Sequence, residues 1–251
     1  MTALRIDINR IRAEYWYVKV VLYPIIYGLL ALVGYSTVAR LVVNGCYVFP
    51  PRGLPLPIDP YIPFISVFVI PYVFIFYPVL IFTLAYYFFV KIERADQLMV
   101  SILIIYAVAF INYLVFPVTM EPFRPKPEDL PSDFLSQVMA QYYESDLPVN
   151  CFPSLHAANS TIVAYYLSRD HKKYKWIFWT YAFLVIISTL FVRQHYIVDE
   201  VYGFLLAYFA GEVATKKIST TPPIDKFKTV RVVLAIILAT IISVGMIIVY
   251  I

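Results

Sequence analysis

The sequence predicts an all-α integral membrane protein with seven helices crossing the bilayer and its N-terminus on the cytoplasmic side. Three observations carry that prediction. Of 251 residues, 61% are apolar and only 14% charged, against about 25% charged in soluble domains. Uncharged runs long enough to cross hydrocarbon as a helix, about 20 residues, recur along the chain. The lysines and arginines between those runs divide fifteen to five in favour of the N-terminal arm's side, and the side with the excess is the one retained in the cytoplasm. With a net charge of only +4, the balance excludes a soluble globular enzyme, a disordered tail and a basic nucleic-acid-binding domain.

Each span follows from its run. Residues 20–39 lie uncharged between Lys19 and Arg40 and form the first, the expected insertion signal, since the first eighteen residues carry three arginines and no apolar stretch of the kind a cleavable signal needs. The second is 60–90, with kinks expected at Pro63, Pro71 and Pro78. The third is 97–120, the fourth about 154–168, the fifth 176–192, the sixth about 196–214 and the seventh 232–251, which places the C-terminus outside. Residues 1–214 read as one integral domain; residues 215–251 add an inner loop and a last helix. Five prolines between 45 and 60 make the first outer loop a stiff, extended cover. In the second outer loop, Ser132 is placed to cap a short helix whose Phe134, Leu135, Val138, Met139 and Tyr142 share a face suited to the membrane surface.

Three segments concentrate chemistry, and the charge asymmetry brings all three to the outer side. In Cys151-Phe152-Pro153-Ser154-Leu155-His156 a proline and a hydroxyl open a helix, where free amides make an anion cradle. His156 stands one step inside, placed to give a proton to a group leaving that anion. In the segment 188–199, His195 and Asp199 are one helical turn apart; a carboxylate on one imidazole nitrogen fixes the tautomer and leaves the other lone pair free to attack. Arg193 adds a positive charge. In Glu121-Pro122-Phe123-Arg124-Pro125-Lys126, Arg124 and Lys126 are suited to phosphate oxygens. Each segment alone has a plainer use: a helix start with an interior histidine, a surface His–Asp pair, interfacial anchors.

Together the segments resemble the superfamily of type 2 phosphatidic acid phosphatases. Its pattern is an Arg-Pro preceded by Lys, then Pro-Ser-x-His, then Ser-Arg followed by His-x-x-x-Asp; here Arg124-Pro125, Pro153-Ser154-Leu155-His156 and Ser188 with His195 and Asp199 occur in that order. The wording of CFPSLH and QHYIVD is most similar to the inositol phosphorylceramide synthase-like branch. In two places the chain departs: Pro117 stands where the Lys is usual, and Thr189 where the second Arg is. Arg193 and Lys126 are the available substitute cations. The resemblance implies a six-helix lipid-phosphatase core with the seventh helix added. It implies metal-independent phosphoryl transfer through a phosphohistidine. His195 is the nucleophile, Asp199 its orienting partner and His156 the acid. Arg124, Arg193, Ser154, Lys126 and Thr189 would be the phosphate-binding residues. No cofactor and no nucleic-acid partner is implied. The substrate is a lipid phosphate or pyrophosphate met from the bilayer on the extracytoplasmic side of the cell membrane; water makes the enzyme a phosphatase, an alcohol a headgroup transferase. The oligomeric state is left open.

Cys46 and Cys151 both map to the outer side, where an oxidising exterior permits a bridge, although free thiols are the reading the sequence favours, since nothing in it brings the two alpha carbons within bonding range. Other uses of the same residues are a catalytic zinc, against which the absence of a Cys pair or His-Glu-x-x-His spacing argues, a haem held by the two histidines, and a proton-relaying transporter.

Overall fold

The computed structural model describes residues 15–221 and 227–249; the N-terminal arm with Arg5, Arg10 and Arg12, and the last two residues of the expected seventh span, lie outside them. The described chain is helical, with no strand. Eight helices carry the fold: α1 (Trp16–Val43), α2 (Ser66–Val90), α3 (Ala95–Val115), α4 (Phe134–Ser145), α5 (Leu155–Asp170), α6 (Lys175–Phe191), α7 (Ile197–Lys217) and α8 (Lys228–Val249).

Five segments are long and apolar enough to cross a membrane: Trp16–Val43, Ser66–Val90, Ile92–Val115, Lys172–Phe191 and Lys228–Gly245. The runs read as the fourth and sixth spans form α5 and α7, which do not meet that measure. The reason is their place in the bundle. The 16-residue α5 is the central helix, packed against α6, α7, α2 and α3, and buried from Ala157 through Tyr166. A helix enclosed by protein need not be greasy on every side, so Asn159, Ser160 and Thr161 sit in its buried middle. On α7, one face of small residues, Gly203, Ala207, Ala210, Gly211 and Ala214, is buried, while Leu205, Tyr208 and Phe209 point outward. Charged residues at both ends, Asp199 and Glu200 against Lys216 and Lys217, dilute its hydropathy.

Elsewhere the boundaries shift for local reasons. Helix α2 begins at Ser66, not at residue 60, because Asp59–Tyr61 form a separate 3-10 turn; Pro71 falls in a π-helical turn, Ile70–Ile75, and Pro78 in the α-helical stretch that follows. Helix α3 ends at Val115. Beyond it the buried Val118 forms isolated bridges with Arg52 and Asn150, so the three long connections at this end are stitched together. Helix α4 is capped by Asp133 rather than Ser132: its carboxylate accepts the Ser136 amide at 3.1 Å and the Ser136 hydroxyl at 2.6 Å. Its Val138, Met139 and Tyr142, with Leu135 beside them, pack on Val69, Tyr72 and Val73 of α2, so most of the apolar face turns to protein and only Phe134 stays exposed. At the opposite end, Lys19 is buried and meets Asp96 at 2.7 Å, which neutralises the charge that bounds the first run. Helix α8 lies along α2.

Candidate active site

The site lies where the N-termini of α5 and α7 meet the loop that closes α6. Ser154 is the N-cap of α5, its hydroxyl accepting the Ala157 amide at 3.1 Å. Its own amide donates to the Asp199 carbonyl at 3.1 Å, and the Tyr113 hydroxyl donates to the Pro153 carbonyl at 2.7 Å, so this turn is held from α7 and α3 together. Gly203 permits the approach: a Cβ there would stand 2.4 Å from the Ser154 carbonyl oxygen.

The two expected imidazoles meet. The rings of His156 and His195 lie 5.7 Å apart, centroid to centroid, tilted by 64°. His156 is partly exposed and rests against Tyr72 and Phe76, at 4.7 and 4.9 Å, residues one turn apart on α2. His195 is buried, with Nδ1 3.4 Å from Asp199 Oδ2. The same carboxylate oxygen accepts the Tyr196 amide at 2.9 Å, fixing Asp199 in the first turn of α7. Burial alone would depress His195, but the hydrogen bond to Asp199 and the charges of Glu200, Asp199 and Asp146 together raise it above the ordinary histidine value.

The cations divide. Arg124 is brought to the site: its guanidinium donates to the Asp146 carbonyl at 2.6 Å, to the Asp146 carboxylate at 3.4 Å and to the Gln194 side chain next to His195, and it lies over the Tyr143 ring. Although burial opposes the charge, the Asp146 carboxylate keeps Arg124 above its usual value. Arg193 is used otherwise. At a left-handed φ of 52° it donates to the carbonyls of Phe123 (3.0 Å), Asp59 (2.8 Å) and Ile62 (2.6 Å), a clamp on the covering loops rather than a hand on the imidazoles. Lys126 is exposed, its side chain without a hydrogen bond or ion pair among the described residues. Thr189 is buried and spends its hydroxyl proton on the Ile186 carbonyl at 2.7 Å.

Cys46 and Cys151 are both free thiols, the first exposed and the second buried beside Val118, Met120 and Tyr196, so the bridge contemplated from the sequence is not made. Burial pushes the Cys151 thiol well above its usual value. Its sulfur, a His195 nitrogen and an Asp199 oxygen form the one set of three potential metal ligands among the described residues.

Sequence reasoning missed Asp146, which holds Arg124, the Tyr72–Phe76 rest for His156, and Asp59, whose carboxylate accepts the amides of Leu56 and Ile197 at 2.5 and 3.1 Å. Glu200 carries no expectation from the sequence either, yet its carboxylate is buried among Ser154, Thr189 and His195. The aromatic pair one turn apart on an apolar helix was the one readable sign; Asp146 and Asp59 lie in irregular segments that carry no period.

Comparison with known proteins gives the family. The family model of the PAP2 superfamily matches residues 57–212, and the chain belongs to that superfamily. An uncharacterized protein of Methanocaldococcus jannaschii is 30% identical over 146 residues, 57% of this chain and 58% of that protein. The inositol phosphorylceramide synthase catalytic subunit of Schizosaccharomyces pombe is 32% identical over 75 residues, 30% of this chain and 18% of that one. The matches thus span well under two thirds of either relative. No solved structure matches.

Proposed function

We propose that the protein is a membrane lipid phosphatase that removes phosphate from a lipid phosphate or pyrophosphate through a phosphohistidine. The observation that carries this is the pairing of His156 and His195, rings 5.7 Å apart, with the Nδ1 of His195 turned to Asp199. In the first step the free ring nitrogen of His195 forms a bond to phosphorus as the bond to the lipid oxygen breaks, and protonated His156 gives its proton to that oxygen. In the second step water attacks phosphorus, the phosphorus–nitrogen bond breaks, and His156 takes the proton from water. Arg124 and the amides at the start of α5 stabilise the equatorial oxygens, where phosphoryl transfer draws its catalysis. Lys126, Arg193 and Thr189 fit less well as phosphate ligands, given the partners and exposure described above.

The setting is part of the same reading. Seven helices, α5 and α7 included, span the bilayer with the N-terminus inside; residues 1–214 make the catalytic unit, and the site end faces the outside of the cell membrane. The fifteen-to-five division of Lys and Arg supports it.

A second reading, headgroup transfer, is favoured by the likeness to the inositol phosphorylceramide synthase subunit: His195 displaces the lipid alcohol of a phospholipid, the phosphoryl group on histidine keeps its headgroup, and an acceptor hydroxyl then breaks the phosphorus–nitrogen bond. Mass spectrometry of products from a lipid phosphate and from a phospholipid donor, each with and without alcohol acceptors and in chelator, separates them. Free phosphate from the lipid phosphate, with or without an alcohol, is expected; a new phosphodiester formed from the phospholipid donor only with an alcohol identifies the transferase, and no product in any arm contradicts both.

A further inference from the structure

One potential ligand set coincides with the nucleophile itself. Cys151 Sγ, a His195 ring nitrogen and an Asp199 carboxylate oxygen lie within 4.8 Å of one another, all three residues buried. The three come from separate places: Cys151 from the turn before α5, His195 from the loop after α6, Asp199 from the first turn of α7. Tetrahedral zinc bonds its sulfur, nitrogen and oxygen ligands at about 2.0–2.3 Å, which sets those atoms about 3.3–3.7 Å apart. Closing the set therefore takes a movement of about an ångström. Two further observations point to a cation. Asp199 Oδ1 is buried without a hydrogen-bond partner among the described residues, leaving an oxygen for a ligand. The buried carboxylate of Glu200, next to Asp199 on α7, and that of Asp146 also lie near His195, so further oxygens flank the set.

We propose that Cys151, His195 and Asp199 form a binding site for a soft divalent cation of the zinc class, and that occupancy holds the enzyme inactive. On binding, the Cys151 thiol releases its proton to solvent as the sulfur–metal bond forms, His195 contributes one nitrogen lone pair and Asp199 one oxygen; a fourth position is left for water. Inhibition follows from the tautomers of imidazole. If the metal takes the nitrogen that attacks phosphorus, the lone pair is gone; if it takes the nitrogen facing Asp199, the ring's hydrogen moves to the other nitrogen, which then has no lone pair to offer. Metal and phosphoryl group compete for one residue, so the cation is an inhibitor rather than a cofactor. The inhibitory half rests on the phosphatase reading; the binding half does not.

The test uses the purified full-length chain in detergent, with Co²⁺ and Cd²⁺ as spectroscopic probes and Zn²⁺ as inhibitor. The chain has two cysteines, so in Cys46→Ser any thiolate must be Cys151. Titration of this variant should give a thiolate-to-metal absorption band saturating at one metal per chain, lost on adding chelator. No band, or a band in wild type that Cys46→Ser removes, overturns the site. Zn²⁺ should abolish phosphate release reversibly. Cys151→Ala, which removes the thiol, and Cys151→Ser, which replaces it with a much weaker zinc ligand, should keep basal activity and raise the half-inhibitory Zn²⁺ concentration at least tenfold. Unchanged sensitivity in a folded variant, or activation by Zn²⁺, overturns the inhibitory role. A band from a chain that turns over no lipid phosphate would sustain the site while removing the phosphatase reading.

Discussion

Asp199 serves two hydrogen-bond partners with one oxygen, the Tyr196 amide and His195 Nδ1, and so links the start of α7 to the tautomer of His195, the proposed nucleophile. Asp199→Asn keeps an acceptor for the amide but offers the ring an ill-matched partner. The expected result is a folded protein whose kcat/KM falls by about 10²- to 10⁴-fold; a loss under threefold in steady-state kinetics would remove the orienting role. The pH dependence has a definite sign. His195 is held above the ordinary value of about 6.5, so its neutral, attacking form is reached only at higher pH. The acid limb of kcat/KM should therefore lie above 6.5 and move down in Asp199→Asn; a limb at or below 6.5 in wild type contradicts the assignment. The two arginines separate by readout. Arg124→Met should lower kcat/KM at least tenfold with little change in thermal stability. Arg193→Met, which strips donors from three carbonyls, should instead cost about 2–4 kcal/mol of stability, seen as a lowered thermal midpoint. The sequence offers both as phosphate ligands, Arg124 by its Arg-Pro and Arg193 by its place two residues before His195; the structure sends the Arg193 guanidinium, from a left-handed backbone position, to the loop carbonyls instead.

At the scale of elements, the contact between α5 and α7 decides the site. Gly203 lies against the Ser154 carbonyl so closely that a methyl group cannot enter without moving the turn that bears His156. Gly203→Ala should destabilise by about 1–3 kcal/mol and reduce activity, whereas Gly245→Ala, with open space around its Cβ, should change neither; thermal unfolding and phosphate release on both variants check this. The apolar runs announced the helices that face lipid, because hydropathy reports that environment. They announced α5 and α7 less well, since α5 is short and enclosed by protein while α7 has one face of small, close-packing residues and charges at both ends. The existence of α4 was legible from its apolar face, but not what that face covers, because the same stripe serves lipid and protein alike.

For the molecule as a whole, the covering loops and the opposite end are tied by polar contacts while the middle is apolar. Arg193 and Asp59 fasten the proline-rich connection over the site, and Lys19–Asp96 and Arg94–Asp170, each at 2.7 Å, brace the far end. Sidedness is the global property that motifs and charge count both address. Cys46 is exposed at the site end, so a membrane-impermeant maleimide should label it in intact cells, and Cys46→Ser should lose the label. Labelling only after permeabilisation would place the site on the other side. The heart of the site is readable in the sequence itself, because the order and spacing of His156, His195 and Asp199 are local features of two short segments. The partners that arm it are not readable there, because Asp146, Tyr72 and Asp59 arrive from distant segments by packing alone.

The most direct measurement is acid-and-base mapping of the enzyme quenched during turnover of a lipid phosphate labelled at phosphorus. A phosphohistidine route predicts label on His195 that is stable in base and labile in acid, absent from His195→Ala and more slowly formed in His156→Ala. Turnover with no label on protein, or label that persists in His195→Ala, would contradict it.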